Sequence, residues 1–384
     1  MSAAVLAALQ FLQAPPDGAT LTLRRAWPRG PQHLLLDYAS DDGGRVAAQW
    51  FGTAGGQPHR ERLAAVAAQT DGAAQLAGQV VAVPDAGVLL QHAGADRRMP
   101  ALAGLAAKGE LLVHRPERRA VVHLDDAGGD RYAKVVRPGR LERLVSAGAL
   151  AEASGAFATP RLLDTDDDAG VTVSAALPGR SLFELLDSPR LAPAMSAAGA
   201  ALAAFHGTEV AEVTLPRHTA ADEIAVVTTW LGHCRTFAPD AAEAVAPHLE
   251  TLRQAMGRGP TTSLALAHRD CYDKQLLDTG DGCPGMVDVD TLALAEPSLD
   301  LANVLVHLEL RVAQGMLDEN RGQEAAAALV AGYRPDAAVR ERVAAYATAS
   351  RLRLACLYAL RPAWRGLISS LLERVAAPPW GIDG

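Results

Sequence analysis

The sequence predicts an α+β chain in two unlike parts, strands first and helices after, and three observations carry this. Glu110–His114, Ala120–Leu124 and Arg131–Val136 read as half-buried strands, with a turn signal at Asp125–Asp130. Beyond residue 190, apolar residues recur at three- and four-residue spacing over Leu191–His206, Asp300–Gly315, Gln323–Tyr333, Ala337–Ala349 and Leu352–Glu373. That is the period of helices packed along one face. The length, 384 residues, suffices for two or three domains.

Between these parts, Leu141–Ser154 has helical composition. Val171–Leu177 is extended and stops at Pro178-Gly179, after which Ser181 to Glu184 forms a capping box that predicts a helix start. Gly280-Asp281-Gly282-Cys283-Pro284-Gly285 formally matches a dinucleotide fingerprint. It runs into a strand instead of opening a helix, so it reads as a hairpin turn.

Composition narrows the class of protein. Hydrophobic residues make up 49% against 21% charged, which excludes global disorder. A net charge of −8 argues against nucleic acid as a partner, since sequence-independent binding runs on basic surface. Four cysteines without a CxxC pair read as reduced thiols, neither a disulfide framework nor a zinc site. The first residues lack a basic leader and no apolar run approaches membrane-spanning length. The expectation is a soluble cytoplasmic protein with no membrane partner; its oligomeric state is open.

The densest chemical signal is the stretch from Leu264 to Asp290. It reads as strand, His-Arg-Asp turn, short strand, tight turn and a short strand ending in Val287-Asp288-Val289-Asp290. Asp270 is followed five residues later by the amide Gln275 and eighteen later by the carboxylate Asp288. Phosphoryl transfer from ATP requires such parts: a carboxylate on the acceptor hydroxyl, and an amide oxygen and an acid on magnesium. Two hard oxygen ligands suit Mg²⁺, which keeps water and substrate phosphates as its other ligands.

This segment, with Glu296-Pro297-Ser298-Leu299-Asp300-Leu301-Ala302 after it, resembles the aminoglycoside phosphotransferase family over roughly residues 107–384. The resemblance implies a bilobal protein-kinase-like fold with a β-rich small lobe and a mostly helical large lobe. Arg269 stands where the family has glycine, and Gln275 where it usually has asparagine. On this resemblance Asp270 is the catalytic residue, and Gln275 and Asp288 hold the metal. Lys134, in Ala133-Lys134-Val135-Val136, holds the ATP phosphates. It is one of only three lysines in the chain.

Glu142, preferred to Glu152, pairs with Lys134, because the family's acid lies well before the terminal glycine of its helix, here Gly155. Backbone groups around Ser174 to Ala176 receive adenine. Asp300 braces the catalytic turn, His268 orients it, and Asp290, two residues along a strand from Asp288, shares its face. The turn that covers the phosphates, Arg115–Arg119, carries no glycine. Arg118 or Arg119 is a candidate to touch the phosphates, with an exposed basic turn as the preferred reading.

The domains expected are an N-terminal α/β cap over residues 1–106, an ATP-binding small lobe and hinge over 107–177, and the large lobe over 178–384. The cap reads as a degenerate copy of the small lobe. Gln49 parallels Lys134 at an offset of 85, and Val88 parallels Val171 at 83. A nearly constant offset is what duplication leaves behind. Chance similarity in an Ala/Gly-rich sequence is the competing explanation.

The acceptor is a small-molecule hydroxyl, with a sugar or amino sugar preferred because a cap before the small lobe resembles bacterial maltokinase-like enzymes. An antibiotic-inactivating phosphotransferase and a non-catalytic binding module are the alternatives. Asp222, Glu223 and Asp240 are candidates to meet a cationic acceptor, and Trp230 and Trp364 to stack on a sugar. Solvated helix faces and core packing are the plainer roles for these five.

Overall fold

The computed structural model describes residues 3–14, 18–54, 57–58, 60–74, 79–126, 129–210, 215–259 and 262–382. The middle of the expected turn at Asp125–Asp130, Ala127 and Gly128, lies outside these.

The N-terminal part begins with α1 (Ala3–Leu9), β1 (Phe11–Ala14), β2 (Ala19–Gly30), β3 (His33–Ser40) and β4 (Arg45–Phe51). A two-residue pair, β5 (Thr53–Ala54) and β6 (Gln57–Pro58), leads to α2 (Arg60–Ala74), β7 (Val80–Val83), β8 (Val88–Gln91) and α3 (Leu102–Ala106). The sheet is antiparallel in the order β1-β2-β3-β4-β8-β7. Leu34, Leu35 and Leu36 are all buried because both faces of the sheet are covered, which is why β3 lacks the alternation of a half-exposed strand. Leu63 and Val66 of α2 pack on Phe51 and Leu89 from one side.

The other face carries Leu34, Leu36, Tyr38, Val46, Ala48 and Trp50 into the same core as the large-lobe helices. There the Trp50 ring meets Phe237 edge-on at 6.1 Å, and the Ala26 amide donates to the Leu360 carbonyl at 3.0 Å. The cap is therefore seated on the large lobe as well as beside the small one.

The small lobe consists of β9 (Glu110–Arg115), β10 (Arg119–Asp126), β11 (Gly129–Val136), α4 (Leu141–Ala153), β12 (Leu162–Asp166) and β13 (Val171–Ala175). Its sheet runs β12-β13-β11-β10-β9, the order that β7-β8-β4-β3-β2 follows in the cap. In both, a helix joins the third strand to the fourth. Gln49 lies opposite Leu35 and Leu89, and Lys134 opposite Val121 and Thr172. The small lobe has its own core of Ala120, Val122, Leu124, Ala133, Val135 and Val171, together with Met99 and Leu102. Met99 and Leu102, on the cap side of the expected boundary at 106/107, thus reach across it into the small-lobe core.

The large lobe contains β14 (Arg180–Ser181), α5 (Leu191–His206), β15 (Arg217–His218), α6 (Ala220–Phe237), α7 (Pro239–Val245) and α8 (His248–Gly257). After these come β16 (Ala265–Ala267), β17 (Leu276–Asp278), β18 (Gly285–Met286), β19 (Ala293–Ala295), α9 (Ser298–Ala313), α10 (Glu319–Tyr333), α11 (Ala337–Tyr358) and α12 (Leu367–Glu373). Every residue of α9 from Ser298 to Arg311 is buried. A helix surrounded in this way needs apolar residues on all sides and a partner for each charge. Arg311 meets Asp273 at 2.7 Å, and Glu309 meets Arg351 at 2.8 Å. α5 and α10 approach closely through Gly199 and Gly332, where a Cβ would stand 2.1 and 2.0 Å from the carbonyl oxygens of Leu329 and Ser196.

Two expectations are corrected here. The helices expected at Ala337–Ala349 and Leu352–Glu373 are divided elsewhere. α11 runs through to Tyr358, and the chain breaks around Pro362 into a short 3-10 turn before α12. The polar Ser350 and Arg351 read as a gap in the apolar pattern, but both are buried, bonded to Asn303 and Glu309. The Ser181–Glu184 capping box forms, with the Glu184 carboxylate accepting from the Ser181 hydroxyl at 2.7 Å and amide at 2.8 Å. It opens a run of turns and not a helix. The amides of Leu182 and Phe183 instead bond the carbonyls of Leu276 and Asp273.

Candidate active site

The His268-Arg269-Asp270 turn leaves β16 with Arg269 at φ 71°, a left-handed backbone that costs a side chain with a Cβ about 1–2 kcal/mol. Asp300, in the first turn of α9, offsets that cost. Its carboxylate accepts from the amides of His268 at 2.6 Å and Arg269 at 2.7 Å. The Arg269 carbonyl accepts from Asn303 Nδ2 at 3.0 Å.

Asp300 is fully buried, and burial pushes its carboxyl up. The His206 ring at 3.2 Å and the charge and amide of His268 outweigh this and hold it below the usual carboxylate range. Tyr333 completes the chain with its hydroxyl 2.7 Å from His206 Nδ1. The His-Arg-Asp turn thus rests on a buried polar network reaching from α9 to α5 and α10.

The same turn is stitched to the segment carrying Asp288. His268 Nε2 lies 3.0 Å from the Val287 carbonyl, and the Thr291 hydroxyl donates to the His268 carbonyl at 2.7 Å. Asp288 itself adopts φ 57°, and Val289–Thr291 forms a 3-10 turn. The expected strand across Val287–Asp290 is therefore absent. Asp290 nonetheless reaches the same place as Asp288, because the turn folds both carboxylates toward the small lobe.

There they meet Lys134. Its ammonium lies 2.9 Å from Asp288 Oδ1 and 2.6 Å from Asp290 Oδ1. Arg119 adds a second cation, 3.3 Å from Asp288 and 3.6 Å from Asp290. Burial pushes the Asp288 carboxyl up, but the Lys134 ammonium and the Arg119 guanidinium pull it further down, well below the usual range. Two half-buried anions closed by two cations form a site built for positive charge.

Asp270, with its side chain about half exposed (46%), faces the cleft, and Arg353 of α11 approaches it to 3.9 Å. The hinge side of the cleft is β13. Ser174 lies inside the ladder between Tyr132 and Leu162.

Not every residue singled out in the sequence arrives here. Lys134, Asp288 and Asp290 converge across the cleft, and the stitched turn links Asp270 to Asp288. Gln275 is buried at the start of β17, its carbonyl accepting the Val287 amide at 3.0 Å. This sets it across the hairpin from the residue before Asp288. Glu142 is exposed in the first turn of α4 and makes no ion pair among the described residues. Lys134 pairs with Asp288 and Asp290 in its place, although α4 does pack on the Val289–Thr291 turn. Ala176 donates its amide to the Asp130 carbonyl at 2.9 Å, which leaves only its carbonyl for an adenine.

The candidate acidic acceptor groups are otherwise engaged. Glu223 is buried against His218 at 2.8 Å, Asp222 caps α6, and Asp240 lies 3.9 Å from Arg365. Trp230 and Trp364 pack against the large-lobe core. The residue near the cleft that sequence reasoning missed is Arg353, and Arg119, ranked there as an exposed turn before a phosphate contact, reaches Asp288 and Asp290.

A divalent cation fits the Asp288–Asp290 pair. The described residues hold no cluster of three or more His, Cys, Asp or Glu. A magnesium ion that takes phosphate oxygens and water for its other ligands needs only one or two carboxylates, and Lys134 and Arg119 already supply positive charge at that spot.

A β-rich lobe over a helical lobe, with a lysine on one side of the cleft and a braced His-Arg-Asp turn on the other, defines a kinase-like phosphotransferase. A model of the APH phosphotransferase enzyme family matches residues 111–346. The chain belongs to that family. No curated protein matches it.

Among solved structures, the amicoumacin kinase hAmiN in complex with AMP-PNP, Ca2+ and Ami is 13% identical, covers 71% of this chain and 89% of its own, and has a TM-score of 0.53. Spectinomycin phosphotransferase APH(9)-Ia, in complex with ADP and spectinomycin, is 12% identical over 70% of this chain and 92% of its own, with a TM-score of 0.52. A choline/ethanolamine kinase family protein from Mesorhizobium loti is 21% identical over 72% and 90%, with a TM-score of 0.49. At these identities the first two show a shared fold.

Proposed function

We propose that the chain is an ATP- and Mg²⁺-dependent phosphotransferase that moves the γ-phosphate to a hydroxyl of a small molecule, with a sugar or amino sugar as the acceptor. The observation that carries this is the convergence of Lys134 and Arg119 on Asp288 and Asp290. A cation pair that neutralises two carboxylates in the free protein is free to turn to phosphates when a metal ion takes the carboxylates over.

Lys134 and Arg119 then hold the phosphates of bound ATP. Asp288 and Gln275, with Asp290 beside them, would hold Mg²⁺, which supplies charge neutralisation at the phosphate oxygens. Asp270 aligns the acceptor hydroxyl and takes its proton as the oxygen–phosphorus bond forms and the bond to the ADP oxygen breaks. Most of the rate enhancement comes from positioning and charge, since no covalent intermediate is needed.

Adenine would sit against the β13 hinge, using the Ala176 carbonyl. Glu142 enters this reading only if α4 turns when nucleotide binds. A neutral polyol acceptor is favoured over a polycation by the groups near Asp270. Arg353 and Arg269 lie on that side of the turn, and the nearest acids are already paired.

In the same reading, residues 1–106 hold a degenerate copy of the small lobe, supported by the common strand order and by Gln49 standing in register with Lys134. A cytosolic location is supported by four cysteines that are all free thiols.

The test is Mg²⁺-dependent ATP consumption against a panel of sugars, amino sugars, aminoglycosides and amino alcohols. Asp270→Ala should lower turnover about 100- to 10,000-fold and leave ATP binding intact. Turnover confined to an antibiotic would replace the sugar reading. ATP binding without transfer to any acceptor would point to a binding module.

A further inference from the structure

The turn expected to cover the phosphates, Arg115–Arg119, has no glycine, yet Glu117 sits at φ 60°, a backbone that residues with a Cβ resist. What holds it there comes largely from the cap. The Glu117 amide donates to Asp96 Oδ2 at 2.7 Å. Its Oε1 accepts from Arg97 Nε at 2.8 Å and from Gln49 Nε2 at 3.4 Å. Its carbonyl accepts from Arg137 Nε at 2.6 Å.

The gripping groups are themselves fixed. Asp96 is buried and also bonded by His114 Nε2 at 3.0 Å and the Arg98 amide at 2.8 Å. Gln49 is buried between Gln91 at 2.9 Å and His33 at 3.0 Å. Gln49 occupies in the cap sheet the place of Lys134 in the small-lobe sheet, so that position receives the turn of the neighbouring sheet. Two residues beyond Glu117, Arg119 reaches Asp288 and Asp290.

We propose that Glu117 is a positioning residue, gripped by Asp96, Arg97 and Gln49 of the cap so that Arg119 is presented to the phosphates of bound ATP. Stiffness supplied from outside replaces the usual conformational freedom of a glycine-rich turn. A turn already ordered before binding loses less entropy when the nucleotide arrives. This rests on the nucleotide site proposed above, and the test separates the two.

Glu117→Gly keeps the left-handed backbone open while deleting the carboxylate. Arg97→Ala removes the grip from the cap side, at a partly exposed side chain (22%). Calorimetry of Mg-ATP binding and amide hydrogen exchange over residues 115–119 of the nucleotide-free full chain are the two readouts.

Each variant should weaken Mg-ATP binding about tenfold and speed exchange at residues 117–119. The double variant should be no worse than the poorer single, and Arg97→Lys should restore most of the affinity. Wild-type binding and exchange in both single variants would overturn the proposal. Should the wild type itself fail to bind Mg-ATP, the nucleotide-site reading falls. Exchange alone then decides the grip, and unchanged rates at 117–119 overturn it.

Discussion

The cap sheet and the small-lobe sheet follow one strand order and place a helix at the same point, yet they present opposite chemistry at one equivalent position. In the small lobe the third strand offers Lys134 to a pair of carboxylates across a cleft. In the cap the third strand offers Gln49, fully buried, to two other neutral side chains and the tip of a turn. Strand order therefore does not make a nucleotide site. In the small lobe the cation on the third strand meets acids brought up by the other lobe, whereas the acid that faces Gln49, Glu117, comes from the adjoining turn and is paired with Arg97.

The sharpest way to break this contrast is to make the small lobe resemble the cap. Lys134→Gln should lower Mg²⁺-dependent phosphate transfer about 100-fold or more, because a preorganised cation at the developing phosphate charge is removed. Adding Gln49→Lys to that variant should restore nothing. Recovery of transfer in the double variant would show that the two positions are interchangeable.

A smaller effect is expected on stability from the cap side. Gln49→Leu leaves His33 and Gln91 short of a buried partner, which should cost about 1–3 kcal/mol, read by chemical denaturation. An unchanged midpoint would mean that the polar cluster contributes little to the cap.

The smallest effect is one of pH. Burial holds the His33 imidazole below its usual value of 6.5, although its bond to Gln49 pulls the other way. A depressed pKa means that the unfolded chain takes up the proton more readily. The contribution is then complete above pH 6.5 and is lost as pH falls through the folded value. Between pH 7.5 and 5.5 the melting temperature of His33→Asn should fall less than that of the wild type, by about a degree or two. Equal falls would remove His33 from the account.

Asp270, Asp288 and Lys134 were legible in the sequence because each lies in a short local motif whose spacing follows from one turn or one strand. Asp300 was legible for the same reason: a carboxylate at a helix start leaves a recognisable Ser-Leu-Asp-Leu signature. Glu142 was not, since which face a helix presents depends on how α4 docks on the turn after Asp288, and composition does not encode that rotation.

The strand expected at Val287–Asp290 failed because alternation of Val and Asp mimics a period of two, whereas the positive φ at Asp288 turns the chain. Arg353 had no signal at all. It lies on α11, more than eighty residues beyond Asp270, and one arginine among many helical arginines looks solvated. Arg119 ranked below an exposed turn because its place at the first residue of β10, the strand that pairs with the strand of Lys134, is not written in local sequence. The contact of Met99 and Leu102 with the small-lobe core had no signal in the sequence, because α3 looks like a linker until its neighbours are seen.

The seating of Trp50 on Phe237 and of Ala26 on Leu360 bears on how this chain can be cut. A fragment beginning at residue 107 would keep every motif of the cleft, yet it would expose apolar side chains along α6 and around Leu360 where the cap now sits. Contiguous apolar surface of that kind drives self-association in water. The first ninety residues thus cover apolar surface of the large lobe, and a fragment lacking them is expected to self-associate where the full chain does not.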